Sequence, residues 1–328
     1  MTGPAISASS LWVNIETLLA ERLPPVWAQA MLGAWCGYGR YARDVPEYAW
    51  PSRAATVALK ARSGIGIHAR GDDDDQSALR RHLDQGLPAI VAVDSYHLPY
   101  RPAFQRVHAG RTLVVRRGSA GGVWIEDLWP PAWRGEAPWE VLALARASKV
   151  PRVAELEPVF SGVPITRRWW SFDVGGPPDD PSAWLKARLA DLWADGHSGA
   201  GAPTAISQAR LLMAALEGDA PLPTATRRRA SLVLRTETSV RAYRIALLRL
   251  AAQRLGDGLL AREADRQVEA LTALALVRDL LIKSIVMPRA IYDRVAADGL
   301  RVATAAEGRL SAVLQAYAAV TPRVLEDA

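Results

Sequence analysis

Cysteine is almost missing from this 328-residue chain: Cys36 is the one thiol. A single thiol forms no internal disulfide and no cysteine-ligated zinc site, so stapled scaffolds and zinc modules are excluded and a reducing cytoplasm is the expected setting. Long apolar runs are absent too. No stretch approaches about 18 uninterrupted apolar residues, and the opening MTGPAISASS has no basic region ahead of an apolar core, so neither a membrane span nor a signal peptide is expected. Lysine is scarce: Lys60, Lys149, Lys186 and Lys283 stand among 40 basic residues, the rest arginine. Residues 1–150 hold 17 basic and 14 acidic residues and the remainder 23 and 20, so each part carries +3 and no basic arm exists. Nucleic-acid binding is therefore not expected, and the Arg227 to Arg229 cluster reads as a solvated helix face. With half its residues hydrophobic and a net charge of +6, the chain is not of the disordered class and has material for two cores.

Tryptophan marks the organisation. All twelve lie between Trp12 and Trp193, and the last third is rich in Ala, Leu, Arg and Val. Ser9 and Ser10 precede Leu11, Trp12, Ile15, Leu18 and Leu19, an apolar stripe at helical spacing behind residues suited to an N-cap. Pro24 and Pro25 end that helix, and Val26 to Trp35 form a second candidate. Gly71, Asp72 to Asp75 and QSALRRHLDQG read as a helix whose carboxylates sit at its positive end and whose stop is Gly86; capping is a better reading of the four aspartates than calcium. Strands are expected at Ala89 to Val93, Thr112 to Arg116 and Val123 to Asp127, the last two joined through Gly118 to Gly122, with a helix at Pro138 to Ser148. The layout is an α+β domain over 1–150, a linker over 151–181 and a helical domain over 182–328. Helices are expected over 182–194, 204–217, 224–255, 259–286 and from Pro288 onward, with Val240, Tyr243, Leu247 and Leu250 on one face.

The chemistry concentrates in residues 87–129, LPAIVAVDSYHLPYRPAFQRVHAGRTLVVRRGSAGGVWIEDLW. One buried strand ends in Asp94, a polar aromatic loop follows, His108 precedes the next strand, and a third strand ends in Asp127. In an antiparallel pair, a histidine near the start of one strand and an aspartate at the end of the next lie close, as a base and its orienting carboxylate require. A nucleophile at the N-terminus of the first helix would complete an acyl-transfer site, because free amides and the helix dipole stabilise negative charge there.

That order resembles papain-like folds, and within them the N-terminal domain of the butirosin biosynthesis protein H family. The resemblance rests on GLPAIVAVDSYHLPY, the His-bearing segment before TLVV, and the Asp127 strand end, and it covers about residues 8–148. It implies an acyltransferase of natural-product pathways, moving an acyl group from a carrier-protein thioester through a Cys, His and Asp arrangement. Two positions depart from that pattern. Counting back from Leu18 and Leu19 places Ser10 where the family has its cysteine, and the histidine expected next to the strand is Arg111, with His108 three residues upstream. An arginine stays protonated and takes no proton from a nucleophile, though it can hold a carboxylate or phosphate.

Three accounts of the site follow. Ser10 is the nucleophile with His108 as base and Asp127 as its carboxylate; or Cys36 replaces the missing thiol; or catalysis is lost and the domain binds an acyl carrier or partner enzyme. Arg111, Asp94 and Tyr96 are the residues expected at the substrate. His68, His82, His97 and His197 show no metal-ligand spacing, so no metal or cofactor is expected. The expected partners are an acyl carrier protein or coenzyme A thioester and a small-molecule acceptor, with an amine, a hydroxyl or water receiving the acyl group, so that acyl transfer and thioester hydrolysis both stand as expected reactions. An acidic carrier would meet the rim near Arg101, Arg106 and Arg111 in a salt-sensitive complex.

Overall fold

The computed structural model describes residues 10–35, 60, 63–71, 76–119, 121–128, 131–149, 165–176, 178–197, 212–218, 222–288 and 290–320. The chain forms two compact units: residues 9–23 with 41–176, and residues 1–8 and 24–40 with 177–328. The division between the first two helices falls at the Pro24–Pro25 break. The second helix groups with the helical unit, not with the stretch 1–150 to which its position in the sequence assigned it.

The first unit is α+β. Helix α1 (Ser10–Ala20) buries Leu11, Ile15, Leu18 and Leu19, the stripe read from their spacing. Strand β1 (Ile65–Arg70), helix α3 (Ser77–Asp84), strands β2 (Ala89–Asp94), β3 (Gly110–Arg117), β4 (Gly122–Asp127) and β5 (Trp133–Pro138), helix α4 (Trp139–Ala147) and strand β6 (Trp169–Val174) follow in chain order; the label α2 belongs to Pro25–Trp35 of the other unit. The six strands form one sheet in the order β1-β6-β2-β3-β4-β5, with every neighbouring pair antiparallel. Gly86 ends α3 with a left-handed φ of 76°, as its place in the sequence implied; Asp72 to Asp75 lie outside the described residues.

The segment 151–181 does not act wholly as a linker. Its Trp169 and Trp170 are buried and build β6, which takes a central place between β1 and β2, with Trp170 opposite Ile90 and Trp169 opposite Val91. Two aromatic side chains on opposite faces of the sheet hold a strand that proline and glycine on either side obscure in the sequence. The odd-numbered side chains of β2, β3 and β4 (Val91, Val93, Leu113, Val115, Val123, Ile125) form a core with Leu79 and Leu83 of α3 and Leu142 and Ala145 of α4. On the other face α1 packs against β3 through Asn14, which bonds Thr112, and Glu21 just beyond it ion-pairs with Arg116.

The second unit comprises α2 (Pro25–Trp35), α5 (Pro181–His197), helical residues 212–217, and three long helices α6 (Thr224–Leu255), α7 (Gly258–Val286) and α8 (Ala290–Val320). Residues 204–211 and the side chain of Val240 lie outside the described set, while Tyr243, Leu247 and Leu250 are buried. Arg227 is not on a solvated face: it is 4% exposed, and its guanidinium bonds Asp293 Oδ2 at 2.8 Å and Ser284 Oγ at 2.8 Å. Arg241 and Arg244 are likewise buried, paired with Glu307 and Glu237. These arginines hold helices together, because a buried charge persists only when paired and hydrogen-bonded.

Candidate functional site

The start of β3 is the centre of the polar groups. In an antiparallel sheet a strand's start adjoins the ends of both neighbours, and here each neighbour ends in an aspartate: β2 in Asp94, opposite Gly110, and β4 in Asp127. Two carboxylates thus flank one strand start, and each is fully buried. Each takes a different partner.

Asp94 takes the histidine. His108 Nδ1 lies 2.7 Å from Asp94 Oδ2, and Ser148 Oγ donates to the same oxygen at 2.5 Å. Asp94 Oδ1 accepts the backbone N–H groups of Tyr96 and Ala109, each at 3.0 Å. Burial pushes the Asp94 carboxyl up, but the hydrogen bonds from Ser148, His108, Tyr96 and Ala109 outweigh it and hold the group below its ordinary value. An ionised carboxylate only accepts, so in the neutral ring of His108 the hydrogen belongs on Nδ1 and the lone pair on Nε2. The imidazole is 24% exposed, and the Tyr96 ring stacks on it with centroids 3.9 Å apart and planes 8° apart. His97 stands edge-on to Tyr96 at 5.1 Å.

Asp127 takes arginines. Arg111 NH2 lies 2.8 Å from Asp127 Oδ1, and Arg101 Nε lies 3.5 Å from Oδ2. Arg101 also donates to the carbonyl of Pro131 at 2.5 Å. Tyr100 stacks on Trp133 beside this pair, with centroids 3.9 Å apart, and burial together with the charge of Asp127 pushes its hydroxyl far up. Arg101 and Arg111 are thus 7% and 8% exposed and engaged with Asp127, so they do not form the open basic rim expected for a carrier; Arg106 is exposed.

Ser10 is the first residue of α1 and is 4% exposed. Its Oγ accepts from the backbone N–H and from the hydroxyl of Thr112, both at 3.0 Å, and Asn14 Nδ2 donates to Thr112 Oγ1 at 3.1 Å. The group on Ser10 is therefore Thr112, which Asn14, one turn further along α1, engages in turn. Side chains alternate across a strand, so Thr112 projects toward α1 while Arg111 projects, with Leu113 and Val115 on alternate positions, to the face covered by α3 and α4. The structure accordingly pairs His108 with Asp94 and Arg111 with Asp127, and sets Ser10 against Thr112. The expected grouping of Ser10, His108 and Asp127 is replaced by these three pairs. Cys36 lies outside the described residues.

Sequence reasoning placed Asp94 at the substrate and missed its role as the carboxylate of His108. The signal was present: the strand-adjacency rule that joins Asp127 to β3 applies equally to the strand before it. For Ser148, Thr112 and Asn14 no motif announces the contact. Among the described residues no group of three His, Cys, Asp or Glu side chains could hold a metal ion, and no helix is long and apolar enough to cross a membrane.

Residues 51–127 match a family model described as butirosin biosynthesis protein H, N-terminal. The match spans β1 to β4 and includes Asp94, Tyr96, His108, Arg111 and Asp127, while Ser10, Cys36 and Ser148 lie outside it. No curated protein matches the chain.

Proposed function

We propose, on the premise that residues 51–127 are of the butirosin biosynthesis protein H N-terminal family, that this chain serves natural-product biosynthesis as an acyltransferase whose general base is His108. The observation that carries the reading is the His108–Asp94 dyad, a half-buried imidazole whose Nδ1 lies 2.7 Å from a buried carboxylate held below its ordinary value, so that Nε2 is the acceptor of the neutral ring. An acyl or aminoacyl group arrives as a carrier-protein or coenzyme A thioester. The amine, hydroxyl or water acceptor attacks the thioester carbonyl and the new C–N or C–O bond forms. His108 Nε2 takes the acceptor's proton, the C–S bond breaks, and the proton passes to the leaving thiolate. The step needs no covalent enzyme intermediate. This suits a Ser10 whose Oγ has threonine groups rather than an imidazole on it. The papain-like layout and an acidic carrier attracted by the net charge of +6 belong to the same proposal.

A specific observation favours one rival. The position next to the strand, where the resemblance puts the base, holds Arg111 ion-paired to Asp127, which fits a relative that binds a carrier without catalysing transfer. One assay separates the two: purified protein with acyl-coenzyme A and acyl-loaded carrier protein, following thiol release and acyl mass. Transfer is expected in the parent and in Ser10→Ala, and loss in His108→Ala. Loss in Ser10→Ala would make the serine the nucleophile, and equal, negligible turnover in parent and variants with carrier retained would establish the binding role.

A further inference from the structure

We infer that Ser148, which ends α4, is a positioning residue of the His108–Asp94 dyad; the inference rests on reading His108 as the base. Ser148 lies outside the matched segment and belongs to a different element from the histidine. Its Oγ shares Asp94 Oδ2 with His108 Nδ1, at 2.5 Å and 2.7 Å. The two donors on Oδ1, the amides of Tyr96 and Ala109, sit at the two ends of the connection that carries His108. They move with that connection. Ser148 does not, because α4 anchors Leu142 and Ala145 in the core, and the Ser148 carbonyl accepts the Ile165 amide at 3.1 Å.

The hydroxyl therefore fixes the carboxylate to the packed body of the unit. It also aims the carboxylate lone pair that selects the protonated nitrogen of the neutral imidazole. With Oδ1 filled by two amides and one direction of Oδ2 filled by Ser148, the remaining lone pair of Oδ2 faces His108, and a hydrogen on Nδ1 satisfies it. Tyr96, stacked on the ring, opposes rotation of the imidazole out of that alignment. Without Ser148, Oδ2 loses a donor in a fully buried place, and the carboxylate is free to turn with the connection.

The test is 15N NMR of the His108 ring in the full-length parent, Ser148→Ala and Ser148→Thr, with thioester turnover alongside. The neutral ring of the parent is expected to be protonated at Nδ1. In Ser148→Ala a second population protonated at Nε2 is expected, with kcat lowered on the order of tenfold and KM unchanged; Ser148→Thr is expected to restore both. Should the alanine variant not fold, Ser148→Cys, a weaker donor of similar size, carries the same readout. A tautomer spectrum unchanged by loss of the hydroxyl overturns the inference, whatever the turnover. A changed tautomer in a protein without turnover upholds the positioning role and overturns the acyl-transfer reading instead.

Discussion

His108 and Asp94 meet across the β2–β3 connection, Nδ1 to Oδ2 at 2.7 Å, so the histidine's carboxylate comes from the strand before it and not from the strand after it. The difference matters because the following strand also ends in an aspartate, Asp127, which is occupied by Arg111 and Arg101. One carboxylate is paired with an imidazole, which can exchange a proton, and the other with a pair of permanent cations.

Asp94→Asn tests the charge of that carboxylate. The folded group titrates below its unfolded value, held down by four hydrogen bonds against the cost of burial. In the unfolded chain it takes its proton near about pH 3.9, so its contribution to stability is full above that pH and is lost as pH falls through the lower folded value. Asp94→Asn is expected to cost about 1–3 kcal/mol at neutral pH, with the gap to the parent closing below about pH 4. Urea unfolding at a series of pH values checks this, and a gap independent of pH would contradict an ionised Asp94.

Gly33→Ala probes the helical unit. A Cβ at Gly33 of α2 would run into the backbone carbonyl of Tyr243 in α6 and press on Leu247. Neither is the far end of a flexible side chain, so the helices must part. The expected cost is about 1–3 kcal/mol, read as a lowered melting temperature with the His108 spectrum unchanged. An unaffected melting temperature would mean that the α2–α6 packing is looser than this.

How far the sequence carried follows from where its information lies. Strands β2, β3 and β4 were legible because apolar β-branched runs and a glycine turn are local signals, and Ser10 at a helix start was legible for the same reason. Strands β1, β5 and β6 were not, since their residues include glycine, proline or charge and their strand character comes from pairing: β6 stands between β1 and β2 because Trp169 and Trp170 bury there. The site divides likewise. Its residue types could be read, but which aspartate serves His108 depends on which neighbouring strand the preceding loop bends toward, and a hydroxyl arriving from α4 leaves no mark near the histidine.

Asp127 and Arg111 should differ sharply in what their loss costs. Asp127 is fully buried with two guanidinium groups on it, so Asp127→Ala strands two cations in the interior. A loss of about 3–5 kcal/mol is expected. Arg111→Met leaves Arg101 on the carboxylate and should cost less. The double variant Asp127→Ala, Arg111→Met should lose less than the sum of the two single losses, because the pair is then removed together. Urea unfolding of the three variants forms the cycle, and additive losses would mean that the two side chains do not interact.

The last expectation concerns restoring the family's residue types. Replacing Ser10 by Cys and Arg111 by His in a Cys36→Ser background supplies a thiol and an imidazole at the positions where the resemblance places nucleophile and base. If the two positions faced one site, the imidazole would form an ion pair with the thiolate and draw the thiol's titration downward, as it does in cysteine–histidine pairs. The strand geometry opposes this. Position 112 is the one that touches Ser10, through both its amide and its hydroxyl, whereas position 111 projects to the face where Asp127 waits. A histidine there would turn to Asp127. The rate of iodoacetamide alkylation against pH should therefore give the same midpoint for Ser10→Cys alone and for Ser10→Cys with Arg111→His. Any lowering in the Ser10→Cys single variant relative to an ordinary thiol is assigned to the N-terminus of α1. A midpoint that moves to lower pH only when the histidine is present would bring positions 10 and 111 into one site, and with it a covalent route through residue 10.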